Sequence, residues 1–351
     1  MRRHFFIVVT MSDIFNKLLI LRTPRIGPAK YNELVGKFGS VDAVVDVIGP
    51  DADVRDSVAR EMETAARLGI TYICDSDDLY PCALREIMNH PPVISVRGNM
   101  ETLRMHTVGI VGTRHATVAG MGFVADLACE FASRGIAVVS GMAIGTDSAA
   151  HRGALRALGD AQTIAVLGGG ADYIWPTENE SLYYEIIERG VVVSEMPVGC
   201  APLAQNFVIR NRWIVGIAEK LILGEADLKS GSMTTARFAI ESNRELWAIP
   251  SHPADSRAAG PNSLIASGDA KLCMGIKDFF DSDNKSGSGA KKIRGSSESE
   301  NDILDKLGTI PVSESVLTQI VKKSVSEIKR DLVVLELRGI IKKVDGGYIK
   351  L

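Results

Sequence analysis

His106–Arg114 reads HTVGIVGTR, Gly135–Leu155 reads GIAVVSGMAIGTDSAAHRGAL, and Thr163–Gly170 reads TIAVLGGG. Each begins with a short β-branched apolar run and stops at a polar turn carrying glycine. A helical apolar period fills the chain up to Arg134, and another runs from Asp147 to Leu158. The runs are apolar throughout rather than alternating, which is the pattern of strands covered on both faces. The alternation continues outward with a helix near Asn179 to Arg189, VVVSE at Val191–Glu195, a helix from Arg210, KLILGE at Lys220–Glu225, a helix from Ser232 and ELWAIP at Glu245–Pro250. Strand and helix in strict alternation predict an α/β fold, a Rossmann-like, doubly wound and mostly parallel sheet, over residues 91–280.

On the amino-terminal side, residues 1–90 read mainly helical. IGPAKYNELVGKFGSVDAVV resembles a helical hairpin, and TYICD and PPVISV add extended pieces nearer the sheet. On the other side, residues 281–300 (DSDNKSGSGAKKIRGSSESE) are Ser, Gly and charge without apolar periodicity, the composition of a flexible linker. Residues 301–351 then show three helical periods and two short strands around Gly346-Gly347, which predicts a winged helix. The chain thus divides into a helical domain, a sheet domain, a linker and a winged-helix domain.

The 351 residues are 46% hydrophobic and 24% charged, enough for a sizeable core, which excludes wholesale disorder and collagen-like structure. Forty Lys and Arg against forty-three Asp and Glu leave a net charge of -3, so any nucleic-acid contact is expected from local patches. The five cysteines include no C-x-x-C pair and no His stands at zinc-ligand spacing; no metal and no cofactor is expected. MRRHFFIVVT at the start has too short an apolar run for a signal peptide, and Met11 is an alternative first residue. No stretch approaches the ~20 apolar residues of a membrane span, so the expected location is the cytoplasm, with no membrane partner.

Ligands of open α/β sheets collect at the carboxyl ends of the strands, so the turns there carry the candidate site. The first is Gly112-Thr113-Arg114, where the glycine admits close backbone approach and the guanidinium offers a planar fork to a phosphate. Its spacing is not G-x-G-x-x-G, which weakens a dinucleotide reading. Ser140-Gly141 ends the second strand. Asp147 and His151 follow at one-turn spacing, either as a cap and its ion-pair partner or as part of a polar pocket. Gly168 and Gly169 follow the third strand, and Gly231-Ser232 opens a helix suited to presenting N–H groups to an anion. Arg210-Asn211-Arg212 is expected in a first helical turn facing the same end, and Trp175, Tyr173 and Phe207 flank these turns as packing residues or base-stacking platforms.

IVGTR, SGMAIGTDSAAHRGAL, TIAVLGGGADYIWPTEN, VVVSEMPVG, FVIRNRWIVGIA, SGSMTTA and GPNSLIASGDA, in that order, resemble the DNA-processing protein A family, also called DprA or Smf. The resemblance implies a cytoplasmic bacterial protein that binds single-stranded DNA, forms a homodimer and helps load a RecA-type recombinase during uptake of transforming DNA. It also implies that Arg114, Arg210, Asn211 and Arg212 line the DNA pocket. Two departures stand out: Thr177 occupies a position that is basic in some members, and Arg25-Ile26-Gly27 stands where a helix-hairpin-helix loop reads Gly-apolar-Gly.

The competing reading is a nucleotide phosphoribohydrolase on a related fold, which needs a Glu in the first turn after Gly231. Thr234, Thr235, Ala236 and Arg237 occupy that turn, and Glu241 comes too late. Glu195 and Glu225 are the remaining candidate bases, each also readable as a loop anchor. A purely regulatory duplex reader leaves the α/β domain without a role. In the last domain Lys329, Arg330 and Arg338, with Lys342 and Lys343, suit either a duplex surface or a solvated or protein-contacting helix. The combined reading is a binding protein without turnover.

Overall fold

The computed structural model describes residues 11–158, 162–281, 298–304, 306–307, 312–321, 323–338, 340–344 and 347–350. Residues through Phe279 form one compact unit and those from Phe280 a second.

The first unit opens with α1 (Met11–Arg22), α2 (Pro28–Phe38), α3 (Val41–Ile48) and α4 (Ala52–Arg67). Ser40 and Asp51 cap α3 and α4 by accepting the N–H groups of Ala43 and Val54. The sheet strands are β1 (Ile70–Cys74), β2 (Val93–Gly98), β3 (His106–Val111), β4 (Ile136–Ser140), β5 (Thr163–Val166), β6 (Val191–Ser194), β7 (Lys220–Leu223), β8 (Glu245–Ala248) and β9 (Lys271–Leu272). Their order is β1-β2-β6-β5-β4-β3-β7-β8-β9. From β6 to β9 every neighbouring pair is parallel, whereas β2 runs antiparallel to both β1 and β6. The sheet is therefore doubly wound and mostly parallel, with an antiparallel extension formed by TYICD and PPVISV.

The remaining helices are α5 (Cys82–Arg85), α6 (Val118–Ala132), α7 (Thr146–Leu155), α8 (Glu180–Arg189), α9 (Ala204–Ile217), α10 (Gly231–Glu241), α11 (Ala259–Ser267) and α12 (Lys277–Asp281). Strand residues alternate between two cores. Val111, Val139, Val166 and Leu223 meet α9 and α10 through Trp213, Ile214 and Ala236. On the other face Ile110, Val138 and Ile222 meet α6 and α7, while Ala165 and Val192 join α8 and the amino-terminal helices, including Leu18, Leu19 and Val44. Burial of each such aliphatic side chain is worth about 1.5–3 kcal/mol, so the amino-terminal helices and the sheet share a core rather than merely touch.

One helix boundary corrects the sequence reading. The helix expected from Arg210 begins at Ala204, two residues after Pro202, so Arg210 lies mid-helix. Leu203, extended at φ -100, is its cap. The proline marks the last place where the chain cannot yet be helical, and the run after it holds no breaker.

The second unit consists of α13 (Glu298–Leu304), α14 (Glu314–Val321), α15 (Val325–Leu337) and the antiparallel hairpin β10 (Ile341–Val344) with β11 (Gly347–Lys350). Leu304, Leu317, Ile328, Leu332, Leu335 and Tyr348 are among its core residues. A capping box of Ser324 and Glu327 starts α15. The expected linker falls almost wholly, and Gly346 of the expected turn falls entirely, outside the described residues.

Candidate functional site

Strand order reverses between β3 and β7: the chain winds outward from β3 through β4, β5 and β6, and from β7 through β8 and β9. In such sheets the crevice at the carboxyl ends of the two central strands is where ligands bind. A cavity of about 340 Å³ lies there, lined by Gly112–His115 after β3, Ala143 and Asp147 after β4, Phe207, Arg210 and Asn211 of α9, and Ser230–Ser232 with Thr234 and Thr235 at the start of α10.

The turn after β3 is held on both sides. Thr113 N–H donates to Glu225 O at 2.7 Å, and Thr146 N–H and Oγ1 both donate to Thr113 O at 3.2 Å. A Cβ at Gly112 would lie 2.5 Å from Thr146 Oγ1, so the glycine is there for close approach. Gly145, at φ +81, precedes α7 and lies against the carbonyls of Thr113 and Arg114.

Arg210 is 5% exposed. Its Nη1 donates to the carbonyl oxygens of Gly141 and, at 3.1 Å, Val166, gathering the ends of β4 and β5. Gly141 has no side chain because that guanidinium fills the space. Asp147 faces the same glycine; burial pushes its carboxyl upward, while Arg210 and the N–H groups of Ala143 and Gly141 draw it back. The guanidinium keeps its charge in proteins, so the pair buries one positive and one compensating negative group.

This arrangement corrects the expected Asp147–His151 pair. The cap of α7 is Gly145, Asp147 sits in the first turn, and its charged neighbour is Arg210. His151 is wholly buried and turns the other way: its Nδ1 lies 2.6 Å from Thr163 Oγ1, whose own proton goes to Val138 O at 2.6 Å. Nδ1 therefore donates, and Nε2 accepts the Met142 N–H at 3.3 Å. Burial, with Arg210 and Arg152 nearby, pushes the imidazole down to about 3, so it is neutral.

Arg114 is exposed, with its guanidinium carbon 5.1 Å from the Trp175 ring centre and 5.6 Å from that of Phe207. The two rings are 4.7 Å apart and tilted. Across the cavity α10 opens with Gly231 and Ser232, Met233 N–H donates to Ser230 O at 3.1 Å, and the Ser230 and Ser232 hydroxyls meet at 2.5 Å beside them. A delocalised cation held on aromatic faces opposite a helix amino terminus is suited to a phosphate and an adjacent planar base.

Of the expected site residues, Gly112, Thr113, Arg114, Arg210, Asn211, Gly231 and Ser232 line the cavity. Gly141 lies behind Arg210, and Ser140 is spent on Ile110 O at 2.7 Å. Gly168 faces the Phe207 ring and Gly169 faces Cys200 and Pro202, so both support the wall from behind. Arg212 stands apart, over the Trp213 and Phe238 rings with Nη2 3.4 Å from Met88 O. Residues two apart on a helix point to nearly opposite sides, which is why it cannot share the cavity with Arg210. Thr177 is exposed; its hydroxyl donates to Glu178 Oε2 at 3.4 Å and its carbonyl accepts the Glu180 N–H.

Thr234, Thr235, Ala143, Val208 and His115 also line the cavity; His115 and Ala143 follow β3 and β4, Thr234 and Thr235 stand in the first turn of α10 after β7, and Val208 stands in α9 beside Phe207. The two candidate bases anchor loops. Glu225 accepts Thr117 N–H at 2.6 Å and its hydroxyl at 2.5 Å, and Glu195 accepts Trp213 Nε1–H at 2.5 Å. Neither lines the cavity.

The family profile described as DNA recombination-mediator protein A matches residues 71–283. Protein Smf of Escherichia coli is 32% identical over 286 residues, 78% of this chain and 75% of that protein. DNA processing protein DprA of Bacillus subtilis is 37% identical over 214 residues, 61% of this chain and 71% of its own length. Protein Smf of Synechocystis is 38% identical over 201 residues, 56% of this chain, and the match spans only half of that relative. The X-ray structure of DprA from Streptococcus pneumoniae superposes with a TM-score of 0.65 at 29% identity, covering 78% of this chain and 97% of that one. The Helicobacter pylori protein, solved for its single-stranded DNA binding mode, gives 0.57 at 28% identity over 64% of this chain and 99% of its own. A profile match across well over half of the residues, centred on the sheet and its cavity, means that the chain belongs to the DNA recombination-mediator protein A family.

Proposed function

We propose that the protein binds single-stranded DNA at the β3–β7 crevice and acts as a recombination mediator, protecting incoming strands and delivering them to a RecA-type recombinase in natural transformation. The observation that carries this reading is Arg114, an exposed cation held against Trp175 and Phe207 at the mouth of a cavity whose far wall is the start of α10. A flexible strand supplies a phosphate to the arginine and N–H groups and a free base to the rings, whereas a duplex keeps its bases stacked. The DNA contacts are assigned to Gly112, Thr113, Arg114, Asn211, Gly231 and Ser232, with Arg210 behind them. The wider mediator role, the homodimer and a cytoplasmic location are carried by family membership. No helix among the described residues is long and apolar enough to cross a membrane.

The protein turns nothing over in this reading. Its support is that Glu195 and Glu225 are committed to Trp213 and Thr117, and that Asp147, the acid in the cavity wall, is balanced by Arg210. The second unit, with three helices followed by a hairpin, is read as a winged helix, and the α1–α4 segment as an accessory helical module. Fluorescence anisotropy with oligo(dT), a duplex and a nucleoside monophosphate over a salt series tests the assignment. The expected order is strong, weak and weak, with single-strand affinity falling about 0.7 log units per neutralised phosphate. Equal affinity for duplex and single strand overturns it.

A further inference from the structure

The outward face of α15 is apolar where a solvated helix would be polar. Ile328, Leu332 and Leu335 fill the core of the second unit from its inward face. On the opposite face Val333 is 53% exposed and Leu337, one turn on, is 83% exposed, with Val334 at 36% beside them. One exposed aliphatic side chain is ordinary, but three on two turns of one helix in so small a unit form a patch that marks a contact.

The charges around the patch argue against a duplex. Lys329 Nζ lies 3.8 Å from Glu314 and Arg338 Nη1 lies 2.9 Å from Glu300. Cations already balanced by carboxylates add little to counterion release, the main source of affinity for DNA. The layout instead complements itself. Arg330, 71% exposed with Nη2 3.2 Å from Asp331, lies one turn before Val333 on the same strip, and the exposed Glu336, whose Oε1 accepts the Lys343 N–H at 3.2 Å, lies about one turn after it. Two such helices set antiparallel about a two-fold axis at Val333 bring Arg330 of each copy beside Glu336 of the other, with Val333 against its counterpart and Leu337 closing the sides. A parallel arrangement would set like charge on like charge.

We propose that the outward face of α15 is a self-docking surface, through which the second units of two copies pair by antiparallel α15 helices in an isologous contact. A single helix pair buries less than the ~1,200 Å² of a stable interface, so the contact is weak between free molecules. It fills when two copies are held together, because tethering raises the effective concentration to about the millimolar range. The step that lets one strand do the tethering rests on the single-strand reading above; the pairing itself does not.

The test uses the full chain in a Cys82→Ser background, since Cys82 is an exposed thiol. Val333→Cys is added and treated with a short bismaleimide, and covalent dimer is read on a denaturing gel with and without oligo(dT). Cross-linking above the Cys82→Ser parent is expected without DNA at high protein concentration, and several-fold more when copies share a strand. Arg330→Glu should lower the DNA-free yield several-fold, Arg330→Glu with Glu336→Arg should restore it, and Leu337→Lys should abolish it. Circular dichroism and single-site DNA affinity should be unchanged throughout. The proposal is overturned if folded Val333→Cys protein gives no more dimer than the parent, or if the yield ignores Arg330→Glu. It is equally overturned if a duplex suppresses the cross-link and Val333→Glu abolishes duplex binding, which assigns the patch to DNA. The DNA-free arm reads the same whether or not the crevice binds a single strand.

Discussion

Arg210, mid-helix in α9, donates to the carbonyl oxygen of Gly141 at the end of β4, so the residue that looks most like a phosphate ligand is largely spent on the protein itself. It shapes the crevice from behind, with Asp147 as its counter-charge. Arg210→Met should therefore cost about 1–3 kcal/mol, because it leaves the buried carbonyls of Gly141 and Val166 without their donor. Single-strand affinity should fall while the slope of log affinity against log salt stays as in the parent. Urea denaturation and a salt series measure the two halves; a slope reduced by one phosphate would make Arg210 a contact after all.

Arg114→Ala should behave in the opposite way. The side chain is exposed and its ring contacts are worth about 0.5–1 kcal/mol, so stability should barely change. Affinity for oligo(dT) should drop and the salt slope should flatten by about 0.7. Titrations at low and high salt decide it, and parental behaviour at both would remove Arg114 from the interface.

The two glycines of the crevice should separate packing from ligand approach. Alanine at Gly112 places its Cβ 2.5 Å from Thr146 Oγ1 and 2.9 Å from Glu225 O, so about 1–3 kcal/mol of stability should go with the binding. Gly231 has open space at that position, and its alanine variant should fold as well as the parent or slightly better. Loss of binding there without loss of stability would show the strand reaching the backbone of α10.

Burial of neutral His151 makes stability depend on pH. Its folded-state value of about 3 lies below the ordinary 6.5, so between these limits the unfolded chain binds the extra proton. Stability from this group is complete above about pH 6.5 and is lost as pH falls toward 3, at no more than about 1.4 kcal/mol per unit. Denaturation midpoints from pH 7 to 4 should show that fall. A His151→Asn variant, less stable at neutral pH, should show a shallower one.

The crevice lies wholly within the first unit, so a chain ending at Phe280 should stay folded and keep most of its single-strand affinity. Anisotropy on the shortened protein checks this, and complete loss of binding by a folded, parent-like oligomer would move the DNA to the second unit.

The alternation of apolar strands with helices, and the polar turns at their carboxyl ends, were legible in the residues themselves. Burial on both faces writes a continuous apolar run into each strand, and close backbone approach writes glycine into each turn; both constraints are local. The turns of Gly112 and Gly231 therefore proved to be cavity walls. What the residues did not disclose is direction. Arg210 and Arg212 are two apart in the sequence yet lie on opposite sides of α9, because the helix begins at Ala204 and turns about 100° per residue. Asp147 finds Arg210 rather than the nearer His151, and TYICD and PPVISV extend the parallel sheet with antiparallel strands. Those choices depend on which side chains from distant segments compete for the same buried space. Only the packed structure settles that competition, since the cost of an unpaired buried charge is incurred only once the segments have met.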